Sequence, residues 1–341
     1  MRLIPTLSVA CLAMLSSLAH GESVSGLYHV REVVDGQGSE ARSQATRQAF
    51  DTLVLRLTGD AKAAQSAALA SLREDPQPII SQFAFEGGSP PTVQVEFDPG
   101  STERALGKAG LALWGSNRPS ILGWWLFDDA EGSTLVGDGQ SAAEPLRRAA
   151  QHRGLPLRLP LADLQEQLLA DAKALEGKDP KALREAGERY GANALLAVHA
   201  QQADGHWQGT WQLWLGKQHE QGSAQGDDPA ALADAVMLAV SNRLAPRYVS
   251  RPGVASGVQL RVEGMTLARY AELDRVLEGF AARLQLAQSD TFTYNVSGSR
   301  EQLRAQLGLA QLHEVQVEPA PSGTPPAPGA QAPFEGLLMR W

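Results

Sequence analysis

Residues Ile121, Leu122, Gly123, Trp124, Trp125, Leu126 and Phe127 form an unbroken apolar run of strand length. A strand with one wet face alternates apolar and polar residues. An unbroken run instead suits a strand covered on both sides, with helices above and below its sheet. The following residues supply those helices. Helical patterning fits Ala142 to Arg153, Leu161 to Ala174 and Lys181 to Tyr190, and Ala192 to Val198 is a second candidate for a buried strand. Trp207, Trp211, Leu213 and Leu215 share one face of a third strand, which Gln218 to Ala224 can pair with. Ala230 to Leu244 reads as a helix that Pro246 ends. Residues 119–249 are therefore expected to form a central α/β domain.

The flanking regions read as smaller units. Leu27 to Val34 has strand content, and Ala41, Ala45, Ala49, Leu53 and Leu57 mark one face of a helix from Ser39 that Gly59 closes. A second helix is expected over Ala61 to Leu72, where Pro76 and Pro78 then break the pattern. Val93, Val95 and Phe97 alternate as in a strand, and Ser101 to Trp114 fits another helix. This gives an N-terminal α+β domain over 22–115. Beyond a joint at Arg251, Pro252 and Gly253, a small α/β domain is expected over 254–318. It has a strand on Val258, Leu260 and Val262, and a helix capped by Thr266 that carries Leu267, Tyr270, Leu273, Leu277, Phe280 and Leu284. Phe292, Tyr294 and Val296 make another strand, Arg300 to Gly308 a short helix, and Val315 with Val317 a closing strand. The fold class is thus α+β or α/β, built as several small mixed-sheet domains with flanking helices.

Residues 319–333 contain Pro319, Pro321, Pro325, Pro326, Pro328 and Pro333, a composition suited to an extended linker. At roughly 3.1 Å per residue such a spacer carries the apolar segment 334–341 some 45 Å to a partner. It also allows that segment to return as a strand of its own sheet. Phe334 and Trp341 are the residues of this segment suited to binding.

The chain begins with Met1 and Arg2, followed by an apolar stretch from Leu3 to Leu18 and small residues at Ser17, Ala19 and Gly21. That layout is expected of a signal peptide over 1–21, and so of a periplasmic protein. The single cysteine, Cys11, lies within it, so the remainder has none to form disulfides. No later stretch is long and apolar enough to span a bilayer. Loss of Arg2 takes the formal charge from −8 to about −9, an acidic balance that argues against a nucleic-acid partner.

Candidate chemistry is sparse. Gly36, Gly38 and Ala41 match a dinucleotide fingerprint, but a helix rather than a second strand leads to the acid at Asp60, so a tight turn is expected and no cofactor. His199, His206 and His219 match no compact zinc spacing, and no metal is expected. Neither a G-x-S-x-G elbow nor a cysteine nucleophile is present, and Ser256 sits out of register for one. Asp128 and Asp129, at the end of the apolar run, are the candidate catalytic acids for a hydrolase. As strand neighbours their side chains diverge, so a solvated turn is the competing account. Trp207 and Trp211 suit a core. Trp214, on the other face of its strand, and Trp124 are candidates for stacking on glycan.

Val33, Val34, Asp35 and Gly36 followed by Ala41 and Arg42, the helix end Leu53 to Gly59, the strand Val93 to Asp98, the segment Arg118 to Trp125, and Tyr190 to Leu196 together resemble DUF2066, an uncharacterised family of exported Gram-negative proteins. The segment from Tyr190 to Val198 with the strands and helix after it is similar to the N-terminal-like α/β domain of the Tol propeller protein, TolB. The N-terminal strand, glycine turn and helix are similar to the first domain of a flagellar assembly protein. The resemblance implies location and architecture, and no catalytic residues. The expectation is a non-catalytic envelope protein, a binding or scaffold and assembly factor. Its partner is expected to be another envelope protein, with cell-wall glycan second. The alternative is a hydrolase of envelope glycan or peptide using carboxylates.

Overall fold

The computed structural model describes residues 22–24, 26–34, 36, 38–88, 91–203, 205–249, 257–277, 280, 282–297, 300–315, 334 and 336–341. The expected signal peptide, the 251–253 joint, Ser256 and the linker 319–333 lie outside them, as do Asp35, Gln37 and Val317.

A short strand β1 (Glu22–Ser23) precedes β2 (His29–Val33) and the helix α1 (Ser39–Thr58). Ala45, Ala49, Leu53 and Leu57 of α1 are buried as their spacing requires. Gly59 ends the helix in the left-handed region at φ 69°, its N–H donating to the Leu55 carbonyl at 2.7 Å. No second long helix follows. Ser66 turns extended and divides the segment into 3-10 turns and a short α2 (Ala70–Glu74), too brief to propagate alone. β3 (Ile80–Glu86) has no clean alternation and escaped the periodicity reading. β4 (Thr92–Phe97) lies between β2 and β3, antiparallel to both, and buries Val93, Val95 and Phe97. α3 (Pro99–Lys108) is capped by Asp98, which accepts from the Ser101 N–H at 2.8 Å. It stops at Lys108, and Gly110 at φ 78° turns the chain well before Trp114. β5 (Asn117–Arg118) pairs with β1.

The central sheet is built around β6 (Ile121–Asp129). Its hairpin partner β7 (Gly132–Leu135) and the short β8 (Leu157–Arg158) share one edge, on either side of α4 (Ala143–His152) in sequence. The expected helix 161–174 is two, α5 (Leu164–Leu169) and α6 (Ala172–Glu176), because Asp163 and Asp171 each cap a separate start. α7 (Lys181–Gly187) leads to β9 (Ala194–Ala203), parallel to β6. β10 (His206–Leu215) and β11 (Gln218–Gly226) then complete the sheet by hairpins, in the order β11-β10-β9-β6-β7. α8 (Pro229–Tyr248) runs through Pro246 instead of ending before it. Ile121, Trp125 and Phe127 face α4 and α8, while Leu122, Trp124 and Leu126 face α5 to α7. The unbroken apolar run therefore fills two cores.

The third unit has β12 (Gly257–Glu263), α9 (Leu267–Leu277), β13 (Ala282–Gln288), β14 (Thr291–Ser297), α10 (Arg300–Leu309), β15 (His313–Glu314) and β16 (Leu337–Arg340). Thr266 caps α9 through Arg269 N–H at 3.3 Å. Leu284, expected on that helix, stands on the edge strand β13 instead and is half exposed. The sheet order is β13-β14-β12-β16-β15, so the C-terminal segment is an interior strand, parallel to β12 and antiparallel to β15.

The units are joined through buried side chains. Fully buried Arg118 donates to the carbonyls of Gly115 (3.0 Å), Arg153 (3.1 Å), Gly154 (3.0 Å), Arg56 (2.7 Å) and Trp114 (2.9 Å), which uses every guanidinium N–H. Trp114 lies under that guanidinium and stacks on Tyr248 of α8, with ring centroids 5.8 Å apart. Asn117 donates to Gln306 of α10 at 2.9 Å.

Candidate functional site

β6 and β9 run parallel, and ligand sites in open α/β sheets gather at the carboxyl ends of such strands. Asp128 and His199 lie there, both on the face covered by α6, whose last residue is Glu176. His199 is 3% exposed, with Nε2 2.6 Å from Asp128 Oδ2 and Nδ1 2.7 Å from Glu176 Oε1. Burial pulls the imidazole pKa down, but the hydrogen bonds to Glu176 and Asp128 outweigh it and the net shift is upward. Asp128 is held below the usual carboxylate range, first by the Ser133 hydroxyl across the hairpin and then by His199, against the opposing effect of partial burial. An imidazolium donating from both nitrogens fits these contacts. It leaves no lone pair for a general base and none for a metal.

Asp129 does not join this cluster. Its Oδ1 accepts from the Glu131 N–H at 2.8 Å and shapes the β6–β7 turn, so the two candidate acids part as strand neighbours do. A shallow open groove of about 560 Å³ runs past Asp128, Asp129, Gln201 and Gln202. None of its lining residues is aromatic, and Glu176 is not among them. The other histidines are dispersed: His206 meets Asp227 at 3.1 Å and His219 meets Gln212 at 2.8 Å. Among the described residues no group of three or more histidine or acidic side chains is arranged to hold a metal.

The tryptophans of the central unit lie inside. Trp124 is fully buried under α5 to α7, and Trp214, 5% exposed, stacks on His219 at 5.0 Å. These positions leave neither ring face open to a glycan. Trp207 and Trp211 fill the opposite core, and Gly222 across the ladder makes room for Trp211, since a Cβ there would come within 2.5 Å of the ring. Phe334 and Trp341 are half-buried on the third sheet beneath Arg261 and Arg269.

A second feature escaped the sequence reading. Leu161, Leu164 and Leu168 are 66%, 72% and 76% exposed, the first on the turn before α5 and the other two one helical turn apart on α5. That turn is rigidly supported. Asp163 and Glu166 form a reciprocal capping box. Glu166, 2% exposed, accepts from the Tyr190 hydroxyl at 2.7 Å and from Arg189. Tyr190 in turn accepts from the Leu161 N–H at 2.8 Å. Burial and then the bond to Glu166 push the Tyr190 pKa up, keeping its hydroxyl proton in place. Ala162 holds a left-handed φ of 54°, a strained conformation that this network maintains. The sequence clue was the pair of caps, Asp163 and Asp171, which splits the helix and turns the leucines outward.

Residues 22–115 match the model of a family described as a domain of unknown function, DUF8605. That finding overturns the resemblance to DUF2066. No curated protein matches the chain, and no solved structure does. The likeness of the central unit to the Tol domain therefore goes no further than its mixed α/β architecture. The DUF8605 region ends at Gly115, one residue beyond Trp114, which leaves the N-terminal core to enter the central one.

Proposed function

We propose that the chain is a non-catalytic periplasmic protein that binds another envelope protein, using the leucine face of α5 as its contact surface. The observation that carries this reading is the exposure of Leu161, Leu164 and Leu168 on a turn held by buried polar contacts. Apolar side chains at the surface with a polar rim, here Asp163 and Arg189, have the layout of a protein interface. Protein is favoured over glycan because Trp124 and Trp214 are enclosed. The periplasmic placement rests on the residue pattern of 1–21, and among the described residues no helix is long and apolar enough to cross a membrane.

The test is photo-crosslinking in envelope extract, with the reactive residue at Leu168 or, as a control, at exposed Lys62. A discrete adduct from position 168, absent from position 62 and abolished by Leu164→Asp, is expected. Equal labelling from both positions would sink the reading.

The convergence of Asp128 and Glu176 on His199 favours a second reading, a hydrolase of envelope glycan or peptide. It requires His199 to release one carboxylate on substrate binding. Turnover of peptidoglycan fragments by the wild type and its loss in His199→Gln would establish it in place of the first.

A further inference from the structure

The connection that leads into strand β16 is far longer in sequence than its position demands. β15 and β16 are antiparallel neighbours, with Glu314 opposite Met339 and the Val315 N–H donating to the Leu338 carbonyl at 2.9 Å. Ends this close are ordinarily joined by about two to five residues. Here residues 316–337 intervene, more than twenty of them. Loop-closure entropy rises with length, so a long tether lowers the effective concentration of the tail at its slot to about the millimolar range.

The slot itself is chemically specific. Leu337 and Met339, each 1% exposed, enter the core formed by Leu260, Val262, Leu303 and Leu307. Gly336 passes so near β12 that a Cβ would come within 2.3 Å of the Gln259 carbonyl. Arg340 Nε donates to Glu263 at 3.0 Å. The guanidinium of Arg261 lies 4.2 Å from the Phe334 ring centre, and that of Arg269 lies 5.5 Å from the Trp341 ring centre. The slot thus reads an aromatic residue, a glycine two positions later, apolar residues at the first and third positions after that, then a basic residue and a second aromatic.

We propose that this slot between β12 and β15 is a strand-docking site, and that the chain's own segment 334–341 is a displaceable occupant. The occupant in trans is an extended segment of a partner protein with the same pattern, adding to the sheet by its backbone. Complementarity to Glu263, Arg261 and Arg269 selects it, and the long tether lets it compete. This site is separate from the leucine face of α5 and stands or falls without it.

The experiment uses the full chain with a protease site inserted between Pro321 and Pro325, folded first and then cut. Dialysed cut and uncut protein are titrated with a fluorescent peptide of residues 334–341, followed by anisotropy, with circular dichroism monitoring the fold. Binding to the cut chain at least about tenfold tighter than to the uncut chain is expected, since cutting removes the tethered competitor. Glu263→Arg should weaken the peptide, and an Arg340→Glu peptide should recover affinity for that variant. Equal binding to cut and uncut chains, a cut chain that stays folded without taking up peptide, or loss of the fold on cutting would each overturn the proposal.

Discussion

Arg118 Nη2 donates to the backbone carbonyl of Arg56 at 2.7 Å, linking two buried arginines, neither of which is paired with a carboxylate within hydrogen-bonding distance among the described residues. Arg56 itself donates to the carbonyls of Gly26, Leu27 and His29. Burial, and then the neighbouring Arg56, lower the Arg118 pKa to about 9, which leaves it charged at neutral pH. Backbone carbonyls at the end of α1, the Trp114 turn and the end of α4 take the place of a counter-ion. Replacing Arg118 by Met removes the donors and strands those carbonyls. A loss of about 3–5 kcal/mol is expected in urea denaturation. A variant within about 0.5 kcal/mol of wild type would show that the arginine does not join the units.

Gly59 carries two constraints at once. Its φ is left-handed, and a Cβ would come within 2.0 Å of Ala245 Cβ on α8. Gly59→Ala should cost about 2–4 kcal/mol, from backbone strain and overpacking together. Adding Ala245→Gly should recover only the packing part, so a double-mutant cycle with no coupling would contradict the described approach of α1 to α8.

His199 predicts a stability that falls as pH rises. Its folded pKa lies above the unfolded value of about 6.5. Its contribution is therefore complete below that value and disappears as pH passes through the raised folded pKa. Urea unfolding from pH 6 to 9 should show this decline in the wild type and a flatter profile in His199→Gln. Parallel profiles would mean that the imidazole is not held as a cation.

Glu32 predicts the opposite sign. Burial raises its pKa, but the hydrogen bonds from His152 and from Thr52 prevail and the net shift is downward. The stabilisation is present above the unfolded value near 4.3 and is lost as pH falls through the folded one. Glu32→Gln should flatten the acid limb of the stability profile. An unchanged limb would remove the Glu32–His152 contact, at 3.3 Å, as a link between β2 and α4.

Much of the fold was legible where one side chain pattern met one environment. The run from Ile121 to Phe127 called for two covering layers, and the alanine and leucine rhythm before Gly59 marked α1 to its end. Edge strands were not legible. β3 and β13 have little burial to impose alternation, and the bulge at Leu284 and Leu286 disrupts what pattern β13 has. Leu284 thus read as a continuation of α9. At the candidate site Asp128 was visible as a strand end, but His199 and Glu176 reach it only through the parallel register of β6 and β9, which local sequence does not contain. Residues 161–174 read as one helix because the cap at Asp171 was not recognised as a second start, so the exposure of the α5 leucines was not legible.

The interior position of β16 has a consequence for how the molecule is made. Synthesis proceeds from the N-terminus, so β12, α9, β13, β14 and α10 emerge while one flank of β12 is still bare. β15 follows with no ladder to join until Leu337 to Arg340 arrive. The third unit closes around the last strand delivered, and a nascent chain interrupted before residue 337 would carry an open sheet edge, a target for proteolysis or for the wrong strand.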